Sequence, residues 1–259
     1  RSSSNSSWWS SFLFLFKMFN RRFFTGLIFF VNILTYSLWL KAFWPGLYIY
    51  DTFSLLKSIQ QGHLGDWQSY IYELFGTFFY FISSDFSAMG VFQICFVSGF
   101  LAFVYYYFFN EGSLNKLTLI ILCLFPLFPL NWGFTIFYSR DVIFACVNMA
   151  ATIYLFNLLL KHKNKISISN VQLLTLSGLL TLTSLLRQDA IILPMLFPLL
   201  TWKLGLCLRQ KKFWKINAIH IAILLFFFIA VPRLLSVSSS SRSYKISALV
   251  NPLSYIINK

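Results

Sequence analysis

Charge is scarce in this chain. Asp, Glu, Lys and Arg make up 11% of its 259 residues, against about 25% in a soluble domain. Acidic side chains are scarcer still, seven against 21 basic ones. Cysteine is rare as well. Cys95, Cys123, Cys146 and Cys207 form no Cys-x-x-Cys pair, which argues against the common zinc and redox motifs. They sit in or beside apolar runs and read as small buried hydrophobes. No Gly-rich phosphate loop and no His/Cys metal cluster occurs, so the nucleotide-binding motifs with a known mechanism are missing. There is no room for a separate soluble nucleotide-sugar domain.

What the chain has instead is apolar surface. Hydrophobic residues reach 58%, with 32 Phe and 8 Trp, too much for one soluble core to hide. A lipid bilayer accepts such surface freely, and the chain reads as one membrane domain. The net charge of +14 does not point to nucleic acid, because the basic residues fall in short clusters between apolar runs. That is the pattern of loops obeying the positive-inside rule.

Crossing a bilayer takes about 20 apolar residues. The first candidate span is Phe23–Trp44, behind Lys17, Arg21 and Arg22; it is too long and aromatic for a cleaved signal peptide. Further spans are expected at Phe86–Phe109, Leu117–Phe137, Val142–Leu160, Val171–Leu186, Ile191–Leu204 and Ile216–Leu235, with kinks at Pro126, Pro129, Pro194 and Pro198. Tyr70–Ser83 is apolar but short, carries Glu73, and suits a helix lying in the interface. With seven crossings and the N-terminus in the cytoplasm, the inner side carries a net charge of +12 and the outer side +2. The outer side then holds Asp51, Asp66, Glu73, Asp85, Asp141 and Asp189. Letting Tyr70–Ser83 cross would put the Lys161–Lys165 and Lys203–Lys215 clusters outside, against the rule. The expected fold class is therefore all-α, a polytopic membrane helical bundle of about seven transmembrane helices.

The expected organisation is a basic, Ser-rich cytoplasmic segment at 1–22, a transmembrane module at 23–235 and a polar outer tail at 236–259. The first outer loop, 45–85, holds interfacial helices. The start at Arg1 instead of Met reads as a chain whose native start lies upstream. The sequon Asn5-Ser6-Ser7 faces the cytoplasm on this topology and would go unused. Trp8, Trp9, Trp44, Trp67 and Trp132 read as interfacial anchors.

Three outer motifs carry the candidate chemistry. Asp51, just past the first span, reads as a general base or metal ligand, or else as the N-cap of a helix over Thr52–Gln61. Ser139-Arg140-Asp141 opens a span; Arg140 reads as a phosphate contact and Asp141 as a second carboxylate, or the triplet is a cap with an interfacial anchor. Arg187-Gln188-Asp189 lies between two apolar runs, where charges must be paired or face water. Arg187 suits bidentate phosphate binding, or else pairs with Asp189 to close the turn. His63 lies in the turn Gln60-Gln61-Gly62-His63, where a lone His is more often a surface residue.

This layout resembles the GT-C class of integral membrane glycosyltransferases. That class has a seven-helix module with a long first outer loop that carries an Asp and folds into two helices along the membrane. The run from Tyr50-Asp51-Thr52 through Gln60-Gln61-Gly62-His63 is similar to the Asp…Gln…Gly opening of bacterial members. Ser139-Arg140-Asp141 looks like their Lys/Arg-Asp pair, and Leu185-Leu186-Arg187-Gln188-Asp189-Ala190 like their Leu-Arg-x-Asp/Asn turn. The resemblance covers roughly residues 20 to 235. Two features depart from it. Trp67-Gln68-Ser69-Tyr70 stands where many members have His-Pro, and the longer C-terminal region of many members is missing, as in a minimal or truncated member.

The resemblance implies a polyprenyl-phosphate sugar as donor, a glycan or lipid as acceptor, and inversion at the sugar carbon. Asp51 would be the base, with Asp141 as its catalytic companion. Arg140, Arg187, Asp189, Gln60 and His63 would contact phosphate or substrate. A divalent metal (Mg or Mn) on Asp51 and Asp141 is allowed but not demanded. The Phe, Ile, Lys and Asn content fits a low-GC bacterium, so the expected location is the plasma membrane, with the active face turned outward. The competing readings are a transporter or flippase for lipid-linked saccharide, and a non-catalytic membrane subunit. Few polar residues lie deep in the spans (Asn32, Gln93, Asn148 and Asn157), and none is charged, which disfavours ion-coupled transport.

Overall fold

The structure, a computed structural model, describes residues 21–62, 69–110, 116–205 and 210–237. All regular elements among these residues are helical. In chain order they are α1 (Arg21–Ala42), α2 (Tyr50–Gln61), α3 (Tyr70–Ile82), α4 (Ser87–Asn110), α5 (Lys116–Leu124), α6 (Pro129–Ile136), α7 (Arg140–Lys163), α8 (Asn170–Leu186), α9 (Ile192–Met195), α10 (Phe197–Lys203), α11 (Lys211–Leu225) and α12 (Val231–Leu234). Two 3-10 turns, Phe125–Leu127 and Gln188–Ile191, and a π-helical turn, Phe226–Ala230, punctuate them.

Four helices are long and apolar enough to cross a membrane: Phe23–Ala42, Ser87–Tyr107, Arg140–Lys163 and Lys211–Leu234. The pair Leu119–Leu127 and Pro129–Ile136, bent by 64°, makes a fifth if it is one broken span. By length and apolarity, four or five of the seven expected spans are therefore present among the described residues. The stretch expected at Val171–Leu186 forms the 17-residue α8, about 26 Å long and a little short of the ~30 Å hydrocarbon core. The stretch expected at Ile191–Leu204 is no continuous helix. It breaks into the end of the Gln188–Ile191 turn, α9 and α10, because Pro194 and Pro198 each remove a backbone N–H.

The described chain falls into two compact units, Arg1–Leu47 with Ser87–Phe137, and Tyr48–Phe86 with Tyr138–Lys259. In the first unit α1 packs along α4, and the α5–α6 pair lies against both. The bend in that pair follows from its prolines. Pro126 has no N–H to offer the carbonyl four residues back, Leu122; instead Nδ2 of the fully buried Asn32 donates to it at 3.2 Å. Pro129 does the same to Phe125, whose carbonyl accepts from Asn131 Nδ2 at 3.0 Å. At the C-terminal end of α6, the carbonyls of Thr135 and Phe137 accept from Nε2 of buried Gln93 at 2.9 and 2.7 Å. In a bilayer a carbonyl left with no bond costs several kcal/mol. Trp132 stacks on Trp39 at 4.3 Å and on Phe43 at 5.2 Å between ring centroids.

The second unit is built on α7, α8, α10 and α11. Ala151, Leu158, Leu173, Leu176, Phe197 and Phe213 are among its fully or nearly fully buried core residues. A capping box starts α8: Ser169 Oγ accepts from the Gln172 N–H, and Gln172 Oε1 accepts from the Ser169 N–H. Proline again frees a carbonyl. Pro198 cannot serve the carbonyl of Pro194, and His220 Nε2 lies 2.9 Å from it, with His220 Nδ1 2.7 Å from Ser177 Oγ. Pro232 acts similarly at the π-helical turn. The Val231 N–H bonds to the Phe226 carbonyl, Pro232 has no N–H, and the Tyr70 hydroxyl donates to the Phe227 carbonyl. On the α2–α3 hairpin, Gly76 is needed for close approach. A Cβ there would run into Cδ2 of the fully buried Leu55.

Candidate functional site

All the candidate residues that the structure describes belong to the second unit. Asp51 is not the cap of its helix, as the sequence allowed. Helix α2 begins one residue earlier, at Tyr50, with extended Ile49 in the cap position. Thr52 fixes this start: its hydroxyl accepts from the Ile49 N–H at 3.2 Å and donates to the Tyr138 carbonyl at 3.1 Å. Asp51 thus sits half-buried in the first turn, where the helix dipole favours a carboxylate. Gln60 lies exposed in the last turn of the same helix. It is about 13 Å along the axis and half a turn around from Asp51, so the two do not share a face. His63 lies outside the described residues.

Ser139 caps α7, its Oγ accepting from the Asp141 N–H at 3.1 Å. That cap sets Arg140 and Asp141 in the first turn. Arg187 follows α8 with extended backbone, φ −136° and ψ 116°. Its guanidinium forks onto Asp189, Nε to Oδ1 at 3.1 Å and Nη2 to Oδ2 at 3.0 Å. A third donor, Nη1, reaches Asp141 Oδ1 at 3.1 Å. The group also lies 5.4 Å over the Phe144 ring. The pairing within the turn anticipated from sequence is therefore present, and a carboxylate from a distant helix joins it. The hydrogen bond from Arg187 holds the Asp189 carboxyl below its usual range, and the same bond pushes Arg187 up.

Asp51 and Arg140 join this cluster through Tyr72. Tyr72 is fully buried on α3, and its hydroxyl has no hydrogen-bond partner among the described residues. Burial, first of all, raises its pKa. The charges of Asp51 and Asp141 raise it further, and that of Arg140 lowers it. Arg140 also acts on Asp189. Five of the seven candidates, from three chain segments, are thus linked: Asp51, Arg140 and Asp141 each act on Tyr72, Arg140 and Arg187 act on Asp189, and Arg187 pairs with Asp141. The side chains of Arg187, Asp141 and Asp189 are 34%, 54% and 69% exposed, so the cluster meets solvent.

Sequence reasoning missed Tyr72 and Glu73. Glu73, expected as an interfacial acid, is 3% exposed. A Tyr or Glu in a short aromatic run looks the same whether it faces headgroups or a partner helix. Only the Gly76–Leu55 approach tells them apart, by turning this face of α3 inward.

The donor set falls short of a metal cage. Asp141 Oδ1 and both oxygens of Asp189 are held by Arg187, and the described residues hold no group of three His, Cys, Asp or Glu suited to a metal ion. The arrangement is suited instead to holding an oxyanion. Arg187 has five N–H donors and spends three, leaving one on each terminal nitrogen in a fixed plane. Beside it stand carboxylates able to take a proton. The chain matches no protein-family model, no curated protein and no solved structure.

Proposed function

We propose that this chain is a membrane glycosyltransferase that moves a sugar from a polyprenyl-phosphate donor to a cell-envelope glycan or lipid acceptor. The observation that supports this is the meeting of Asp51, Arg140–Asp141 and Arg187–Asp189 from three chain segments, two guanidinium groups beside three carboxylates. On this reading the chain crosses the membrane seven times: the four long helices, the bent α5–α6 pair, α8, and the broken stretch from Gln188 to Lys203. The N-terminus is cytoplasmic, α2 and α3 lie along the outer surface, and the cluster faces outward.

The chemistry needs a base and a cation-stabilised leaving group. Asp51 takes the proton of the acceptor hydroxyl as its oxygen attacks the anomeric carbon. The bond from that carbon to the phosphate oxygen breaks, and its electron pair leaves with the phosphate. Arg187, prealigned by Asp141 and Asp189, and Arg140 stabilise that charge. Attack from the face opposite the leaving group inverts the sugar carbon.

The test is sugar transfer by purified protein in liposomes from a panel of polyprenyl-phosphate sugars, comparing wild type with Asp51→Asn and Arg187→Ala. Loss of a general base lowers the rate about 10²- to 10⁴-fold, and both variants are expected to lose transfer with the fold intact. Equal transfer in Asp51→Asn would remove Asp51 from the chemistry. No transfer by wild type from any donor would move the reading to a saccharide-lipid transporter or a non-catalytic subunit.

A further inference from the structure

A cavity of about 320 Å³ opens within the second unit, lined by Ser69, Tyr70, Ser184, Gln188, Phe228 and Pro232 among others. Among the described residues its lining contains no charged group. It adjoins the charged cluster through Gln188, the chain neighbour of both Arg187 and Asp189.

The hydroxyls of its wall share one property. Ser69 Oγ donates to the Leu185 carbonyl, the Tyr70 hydroxyl to the Phe227 carbonyl, and Ser184 Oγ to the Thr181 carbonyl at 2.8 Å. A hydroxyl has one proton to give, so each oxygen keeps only lone pairs for a ligand. Burial pushes the Tyr70 hydroxyl up to about 12, which keeps it protonated and in this role at neutral pH. The wall presents few hydroxyl lone pairs, with Ser69 2% and Ser184 0% exposed, beside the Gln188 carboxamide, a group that both donates and accepts, and the rings of Phe228 and Pro232. Without a cation among its described residues, it offers little to a phosphate or carboxylate. It suits a neutral ligand rich in O–H groups, with an apolar face for the ring of Phe228. The volume corresponds to about ten waters, enough for a monosaccharide.

We propose that this cavity is a binding site for a single neutral, hydroxyl-rich sugar ring, divided by chemistry from the Arg187 cluster that would take the phosphate. The assignment of that ring as the transferred sugar rests on the glycosyltransferase reading; the cavity and its uncharged described lining do not.

The experiment is saturation-transfer NMR on the full chain in nanodiscs, with free glucose, galactose, mannose and N-acetylglucosamine as probes. Inositol and phosphoethanolamine serve as comparators. Wild type is expected to saturate at least one of the four sugars. Ser184→Leu, which fills the cavity, abolishes that signal, and Gln188→Leu, which removes the carboxamide from the wall, weakens affinity about three- to tenfold. Arg187→Ala retains sugar binding while losing transfer. No saturation of any sugar by wild type overturns the proposal. So does an unchanged affinity in Gln188→Leu, which decides the matter even if Ser184→Leu does not fold. So does phosphoethanolamine displacing the bound sugar. Sugar binding without transfer from any polyprenyl-phosphate donor would keep the cavity site and remove the transferase reading.

Discussion

Replacing His220 by Leu tests how this chain tolerates proline inside apolar helices. His220 is 1% exposed and touches two groups, the Pro194 carbonyl at 2.9 Å and Ser177 Oγ at 2.7 Å. A carbonyl only accepts, so Nε2 carries the proton and Nδ1 accepts from the Ser177 hydroxyl. Leucine keeps most of the volume and removes both bonds. Ser177 can turn its proton to a carbonyl of its own helix, and the Pro194 carbonyl keeps a backbone N–H at the C-terminal cap of α9, but it has no donor four residues on, where Pro198 stands. Each lost side-chain bond costs about 0.5–1.5 kcal/mol net. Measured hydrogen bonds between membrane helices average nearer 0.6 kcal/mol, so about 1–2 kcal/mol is the expected loss. The assay is reversible unfolding in mixed micelles followed by circular dichroism. Pro198→Ala is the control, since it restores an N–H four residues beyond Pro194. In that background His220→Leu should lose most of its cost, a coupling of about 1 kcal/mol between residues on different helices. If His220→Leu costs the same with and without Pro198, the histidine is not there to serve that carbonyl, and the account is wrong.

Other outcomes follow from the same geometry. Tyr70→Phe removes the donor to the Phe227 carbonyl; amide hydrogen exchange around Phe226–Ala230 should quicken severalfold, and unchanged protection would refute the link. Gly76→Val places side-chain atoms where Leu55 already sits. It should destabilise the α2–α3 hairpin by about 1–3 kcal/mol, seen as earlier proteolysis of that hairpin than of α7 or α8. Asp189→Asn should tighten inorganic pyrophosphate binding at Arg187 severalfold, because a phosphate must otherwise displace that carboxylate; weaker binding would show that Asp189 orients the fork more than it blocks it. The pH dependence of that pair has a fixed sign. The folded pKa of Asp189 is lowered, so its contribution is complete above the ordinary carboxylate value of about 4 and fades as pH falls through the lowered one. Solvent exposure keeps it below about 1 kcal/mol, and wild type and Asp189→Asn should converge in stability in strong acid.

Composition and apolar runs made the helical, membrane-compatible character legible, and placed α1, α4 and α7 within three residues; the stretch Lys211–Leu234 was placed to one residue at its end and five at its start. Helix α3 was legible too, as a short apolar run of helical length. The breaks were less so. Proline positions marked where kinks could fall, but not that 188–203 would split into three pieces, because that depends on whether a neighbour repairs the freed carbonyl. The Asp51 helix start was misplaced because Asp is the more familiar cap, whereas Thr52 can bond both to Ile49 and to Tyr138. Arg187–Asp189 was readable as a local pair. Its third partner, Asp141, was not, since nothing in the spacing of residues 141 and 187 says that the first turn of α7 meets the end of α8.

The polar residues inside the apolar helices gain a common explanation from these breaks. Asn32 serves the Leu122 carbonyl released by Pro126, Asn131 the Phe125 carbonyl released by Pro129, and His220 the Pro194 carbonyl released by Pro198. Gln93 serves the carbonyls at the end of α6. A side chain committed to a backbone carbonyl in this way is poorly placed to bind a passing ion or to relay a proton. A cluster of charged groups with exposed surface stands instead at Asp141, Arg187 and Asp189, where α7 begins and α8 ends. On the proposed glycosyltransferase reading, that separation between polar groups that repair the fold and polar groups that meet solvent is what chemistry at the membrane surface needs. It also sets a demand on any transport reading: a polar path must be found among side chains that do not already hold the helices together.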